Sequence, residues 1–241
     1  MSTKLVYLEN MHDLEADAYI ERVDKQNGRD VVYLDQTILY PQGGGQPYDK
    51  GVIQGGDTKF IVEEVRFVDG DVLHFGHFEG YPFMQGEDVH IIVDGDRRKL
   101  NARLHSGGHL VDMAVSKIKS DWIPGKGYHF PDGPYVEYDG ELNPEEQAAL
   151  QAKIETTANE LIARNLPVGC YFVEYDELKQ LCRHVPTNLP MNKPIRVVQF
   201  DDFAVPCGGT HVHSLADIQK LTITKVKNKG GSIRVGYAVE V

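Results

Sequence analysis

No run of about 18 apolar residues occurs in the 241-residue chain, so no membrane-spanning helix is expected. The first residues, Met1-Ser2-Thr3-Lys4-Leu5-Val6-Tyr7, enter strand-like sequence without the apolar core of a signal peptide. A cytoplasmic location is therefore the expectation. Cysteine is scarce: Cys170, Cys182 and Cys207 are an odd number with no framework spacing, which argues against disulfides. Positive charge is also in short supply, with 25 Lys and Arg against 36 Asp and Glu and a formal net charge of −11. That balance argues against broad, non-specific nucleic-acid binding. A local basic patch still suffices for RNA. Two clusters qualify, Arg97, Arg98, Lys99 and Arg103 in one and Lys225, Lys227, Lys229 and Arg234 in the other. Each reads equally well as solvated surface.

What is present is an ordinary globular composition, 41% hydrophobic and 25% charged, long enough for one large or two small domains. Residues 1 to 95 read as β. Strand-like runs cover Leu5 to Glu9, Ala18 to Val23, Val31 to Leu34, Phe60 to Val68, Val72 to Phe75 and Val89 to Val93. Turn pairs such as Asn27-Gly28, Gly55-Gly56 and Asp69-Gly70 break them up. Short strands without long helices between them predict a small barrel; Met11 to Ala16 is the one short helical competitor. Inside this half, Tyr40-Pro41-Gln42-Gly43-Gly44-Gly45-Gln46-Pro47 reads as a tight loop or a place of close backbone approach. It lacks the trailing Lys and Ser or Thr of a phosphate loop.

Near Asp94-Gly95-Asp96 the period changes to that of a helix, with Leu100, Leu104, Leu110, Met113, Ala114 and Ile118 on one face through Lys119. Residues 96 to 241 read as a second domain of α+β type: an antiparallel sheet with helices packed on one side. Strands are expected within Trp122 to Tyr138, at Val168 to Val173 and at Ile195 to Phe200. A closing hairpin, Leu221 to Val226 with Ser232 to Val239, turns at Lys229-Gly230-Gly231. Helices are expected from Asn143 to Arg164, with Glu160 and Arg164 pairing at i,i+4, and from Tyr175 to Cys182.

The chemistry concentrates in Leu104-His105-Ser106-Gly107-Gly108-His109. Two histidines four residues apart share one face of a helix and can share one metal ion. Downstream, Cys207-Gly208-Gly209-Thr210-His211 offers a thiolate and an imidazole. The joint set is one sulfur and three nitrogens, which zinc accepts as a tetrahedron; His213 can stand in for His211. Cys182 with His184 is spaced too tightly to chelate. The protease pattern His-Glu-x-x-His is excluded, because Ser106 occupies the place of its glutamate base. Gly107 and Gly108 each cost about 1 kcal/mol in a helix relative to alanine, so open space is expected beside the histidines.

Together these motifs resemble the alanyl-tRNA editing proteins, free-standing relatives of the editing domain of alanyl-tRNA synthetase. The resemblance rests on His105-Ser106-x-x-His109-Leu110, Cys207-Gly208-Gly209-Thr210-His211 and Gly43-Gly44-Gly45-Gln46, in order over nearly the whole chain. Asp35-x-Thr37 and Asp94-x-x-Arg97-Arg98 support it. Threonyl-tRNA synthetase carries a related domain, but the glycine-rich barrel in front favours the alanyl type. The resemblance implies a small N-terminal barrel with the glycine motif, followed by a zinc-containing editing domain. It implies a trans-editing aminoacyl-tRNA hydrolase that removes serine, with glycine as a further candidate, from mischarged tRNA(Ala). Zinc would be held by His105, His109, Cys207 and His211, and Gln46, Thr37 and Thr210 would supply polar groups for selectivity. The family's polar residue before the second histidine is Gly108 here, and Pro124-Gly125-Lys126-Gly127 replaces a glutamine-bearing loop. His129 is the residue expected to take over a substrate contact. The residues alone leave two other readings open: a non-catalytic, zinc-stapled RNA-binding module, and a metal-dependent hydrolase of small esters or amides.

Overall fold

A computed structural model describes residues 2–187 and 189–240. The fold is α+β with antiparallel sheets, and it divides into two compact units, Met1–Leu100 and Asn101–Val241. Among the described residues no helix is long and apolar enough to cross a membrane.

In the first unit the strands are β1 (Lys4–Leu5), β2 (Glu15–Gln26), β3 (Arg29–Leu34), β4 (Gln36–Thr37), β5 (Gly51–Gly55), β6 (Thr58–Val68), β7 (Asp71–Glu79) and β8 (Asp88–Val93). Six of them close into an antiparallel barrel in the order β2-β3-β7-β6-β5-β8. Inward-facing Ala18, Ile20, Val32, Leu34, Ile53, Phe60, Val62 and Ile91 fill it. Along β6 the buried positions run Phe60 and Val62 and then Val65, because a bulge between Val62 and Glu64 shifts the alternation by one residue. Asn27-Gly28 and Asp69-Gly70 make the expected tight hairpin turns, all four residues having positive φ. Two expectations change. After Leu5 the chain coils into a 3-10 turn, Val6–Leu8, because Val6 O accepts from both Glu9 N and Asn10 N. The helical competitor does not form: Met11 and His12 lie in a turn, and Glu15 already enters β2.

The loop between β4 and β5 carries the glycine motif and is fastened from both sides. Gly43 and Gln46 exchange backbone hydrogen bonds of 3.2 and 2.8 Å, with Gly44 and Gly45 at positive φ between them. Arg98 supplies the main clamp. It donates to Asp49 Oδ2 at 2.6 and 2.9 Å, to Ile38 O at 2.6 Å and to Met11 O at 2.7 Å. Both charges are buried, so removing either partner would cost about 3–5 kcal/mol by stranding the other. Asp49 Oδ2 also accepts from Tyr40 N at 2.7 Å. Arg98 therefore leaves the expected basic patch, since its charge is spent inside.

A buried histidine completes this region. Val32 O can only accept, so His74 Nδ1 carries the hydrogen and donates to it at 3.0 Å. His74 Nε2 then accepts from the Thr37 hydroxyl at 3.0 Å, while Thr37 Oγ1 accepts from Leu39 N at 3.1 Å.

The second unit begins within α1 (Gly95–Ile118). It continues with β9 (Ile123–Tyr128), β10 (Tyr135–Asp139), α2 (Gln147–Ala163), β11 (Val168–Val173) and α3 (Tyr175–Leu181). It ends with β12 (Ile195–Phe200), β13 (Phe203–Pro206), β14 (Leu221–Lys229) and β15 (Ser232–Val239). Two antiparallel sheets result, ordered β14-β15-β10-β9 and β11-β12-β13. Helix α2 follows an Asn143 cap that accepts from Glu145 N at 3.0 Å. One stripe of α2 serves the edge strand β14. Gln151 donates to Ile223 O at 2.8 Å, Glu155 accepts from Ile223 N at 2.8 Å, and Asn159 bonds both Leu221 N and Leu221 O. The expected Glu160–Arg164 pair gives way to a longer reach, from Arg164 to Asp201 at 2.6 Å.

Burial lowers the His74 pKa from 6.5 to about 4, against the opposing effect of its bond to Val32. The unfolded chain therefore takes up this proton between pH 6.5 and about 4 while the folded chain does not. Stability held above pH 6.5 is lost as the pH falls through that window, by roughly 3 kcal/mol at about 1.4 kcal/mol per pH unit. Urea unfolding at a series of pH values should show a flatter acid limb for His74→Gln than for wild type. Equal slopes would refute this role.

Candidate metal centre

The helical register of α1 turns His105 and His109 to one side, and the loop after β13 brings up Cys207 and His211. One ligand atom from each of these four lies within 4.8 Å of every other, a group able to hold a metal ion. Cys207 Sγ is 3.5 Å from His105 Nε2 and 3.4 Å from His211 Nε2. His213 is exposed two residues beyond this group and outside it.

The surroundings hold the four side chains in place. Arg196, buried on β12, donates to Cys207 O at 2.8 Å and Gly209 O at 2.9 Å, which fixes the curve of the loop. Ser106 Oγ lies 3.1 Å from His211 Nδ1 and accepts from Val212 N at 3.2 Å. When His211 Nδ1–H donates to this hydroxyl, Nε2 keeps its lone pair toward the cluster, the usual way a neighbour orients a ligand histidine. His109 Nε2 is buried with no hydrogen-bond partner among the described residues. A buried nitrogen left in that state fits a site that a cation completes.

His129 joins the group from the other side. Its ring stacks on His105 with centroids 4.7 Å apart and planes 22° apart. Its Nδ1 lies 2.7 Å from the Tyr237 hydroxyl, which donates its single hydrogen to Leu104 O at 2.7 Å. His129 must then be the donor to Tyr237, so its hydrogen sits on Nδ1 and Nε2 holds a lone pair.

Gly107 and Gly108 make this packing possible. A Cβ on Gly108 would overlap the His129 ring and reach to 3.0 Å from Tyr237 Oη. One on Gly107 would sit 3.0 Å from Val239 Cγ1. The expected open space beside the histidines is therefore absent, because side chains of the protein itself fill it. A Cβ on Gly127 would overlap the His129 ring at its Nε2 edge.

Burial disfavours charge on His105, His109, His129 and Cys207. It drives His105 well below the ordinary histidine range, helped by His211 and His129, and takes His109 to about 4 and His129 to about 3. Burial also pushes the Cys207 thiol up to about 11, against the Gly209 N–H and Arg196. Neutral imidazoles are ready to ligate, whereas the thiol needs a cation to give up its proton.

Thr210 is buried beside His211 in sequence. Thr37 and Gln46 are buried in the first unit, where Thr37 has its hydrogen committed to His74. Sequence reasoning passed over Tyr237 and Arg196 and gave Ser106 only a negative role. The alternation of β15 marks Tyr237 as core, with nothing to show that its hydroxyl meets a histidine 108 residues away.

Comparison with known proteins bears on the class. Residues 3–97 match the family described as class II (A) tRNA synthetases, and residues 195–234 match the second additional domain of threonyl and alanyl tRNA synthetases. The chain is 31% identical to the alanyl-tRNA editing protein AlaX-M of Methanosarcina barkeri, covering 98% of each chain. It is 32% identical to AlaX-L of Pyrococcus horikoshii over 95% of its own length but spans only 55% of that protein. It is 28% identical to the alanine--tRNA ligase of Methanopyrus kandleri, spanning 26% of it. The chain belongs to the alanyl-tRNA editing protein family.

Gly108→Ala tests the packing. Helix propensity favours alanine by about 1 kcal/mol, whereas crowding a filled site costs about 1–3 kcal/mol. Thermal unfolding should show a less stable variant, with the His129 ring resonances shifted. A variant more stable than wild type would mean that the ring is not tightly held.

Proposed function

We propose that the protein is a trans-editing hydrolase that cleaves the ester between a wrong amino acid and tRNA(Ala), chiefly serine and secondarily glycine. Family membership supports this reading, and one observation carries it: a largely buried cluster of three imidazoles and a thiol beside a fourth histidine whose Nε2 holds a lone pair. In this reading residues 1–95 form the glycine-motif barrel and residues 96–241 the editing domain.

The ligand set suits zinc, with His105, His109, Cys207 and His211 as its holders. When bound, zinc would polarise the ester carbonyl, activate water or anchor the substrate. The chain's own groups do the rest. His129 Nε2, held in one tautomer by Tyr237, accepts a proton from the water whose oxygen bonds to the ester carbonyl carbon, and returns it to the 3′-terminal ribose oxygen as the carbon–oxygen bond breaks, so that this oxygen leaves as the hydroxyl. Thr210 presents a hydrogen-bonding group to the serine hydroxyl, while Gln46, and Thr37 at the start of its loop, are the first unit's polar groups for selectivity. An alanine pocket cannot strongly exclude serine or glycine, which is why a second hydrolytic site is needed. Alanine is spared here because it lacks the hydroxyl that such a site binds, a difference of about 1–3 kcal/mol per lost hydrogen bond.

Deacylation of serine, glycine, cysteine and alanine from the same tRNA tests this. Serine should be removed at least about tenfold faster than alanine, on the scale of one lost buried hydrogen bond. If both Ser-tRNA(Ala) and Ala-tRNA(Ala) persist, the hydrolase reading fails. Elemental analysis tests the ligands separately: His105→Ala and Cys207→Ala should each lower the zinc bound per chain. Full retention of zinc would reject that assignment.

A further inference from the structure

The outward face of the β14-β15-β10-β9 sheet differs from the rest of this acidic chain. Residues paired directly across strands share a face, and one such row runs Lys225–Gly236–Tyr135–Tyr128. The inward neighbours Val136, Tyr138, Val226, Val235 and Tyr237 are buried, so this row faces outward. On it Phe130, Tyr128 and Tyr135 stack in sequence, with centroids 4.6 and 5.4 Å apart and planes within 19° of parallel. The Arg234 guanidinium lies 4.2 Å from the Tyr135 ring centroid and closes that end of the stack. The opposite end is Phe130, whose one ring contact among the described residues is Tyr128.

Charge on this face is sorted. Glu137 is held by Arg234 at 2.6 Å, and Asp132 accepts the Tyr128 hydroxyl at 2.9 Å. Lys225, whose stem lies over Gly236, and Lys227 enter none of the ion pairs among the described residues. Bases stack on aromatic rings whatever their identity, and lysines beside them follow the phosphates. The chain itself alternates usefully at this point: Tyr128 and Phe130 face out, while His129 between them faces the metal cluster.

We propose that this face is a binding platform for an unpaired RNA strand, with a base continuing the stack on Phe130 and phosphates meeting Lys225 and Lys227. It rests on the reading that the substrate is an aminoacyl ester on RNA, and it names the surface that receives the single-stranded end.

The full-length protein can be titrated against a short labelled single-stranded RNA and against the same sequence as a duplex. The single strand should bind more tightly. Phe130→Ala and Phe130→Leu should each weaken it about tenfold, the worth of one stacked base. Phe130→Trp should bind within about twofold of wild type, because it restores the ring face. Lys225→Glu and Lys227→Glu should each lower the log–log salt slope by about 0.7. With Ser-tRNA(Ala), Phe130→Leu should raise KM and leave kcat in place. Binding indifferent to Phe130→Leu and to both charge reversals, or a preference for the duplex, would overturn the proposal. If wild type binds as described yet deacylates nothing, the platform stands and the hydrolase reading falls.

Discussion

The candidate centre depends on a steric condition: α1 has no side chain at Gly107 and Gly108. Interleaved side chains normally hold a helix away from the sheet it packs on. Removing two of them lets Tyr237 and Val239 of β15 close on the helix and lets His129 lie flat against His105. Four imidazoles and a thiol then share one largely buried space. Burial keeps the rings neutral, so an environment hostile to charge prepares the groups that a cation requires. The roughly 2 kcal/mol of helix propensity surrendered at the two glycines is offset by that convergence.

Much of the fold was legible because its signals are local. β-Branched runs and Asn-Gly or Asp-Gly turns identified most barrel strands, and β11 and β12 fall where their apolar runs end. The losses have local causes as well. Gly51–Gly55 is missing from the expected strands because glycine is poor in them, yet it pairs with both β6 and β8. Phe203–Pro206 was hidden by its brevity and by the motif that follows it. The bulge in β6 could not be read, because its cause is the curvature of a closing barrel rather than any residue in the run.

The site was legible in its spacing and illegible in its support. Histidines at i and i+4, and Cys-x3-His, are patterns along the chain. Ser106 against His211 and Tyr237 against His129 are contacts between residues 105 and 108 positions apart. The two glycines stand out in the sequence as costly, but the benefit expected of them was open space. Its real recipient is the ring of His129. A missing side chain states that something approaches; only the fold says what.

The stripe Gln151, Glu155 and Asn159 carries a wider consequence. A strand with an unpaired edge is a template for a further strand, and so for open-ended growth. Along Leu221 and Ile223 that template is already occupied by side chains imitating the hydrogen bonds of a neighbouring strand. Beyond them, Lys225, Lys227 and Lys229 would set like charges against any second copy laid alongside in register. At β14, the sheet ends at a helix that answers its backbone and a row of charges that repels its own kind. Both features oppose the addition of a further strand at this edge.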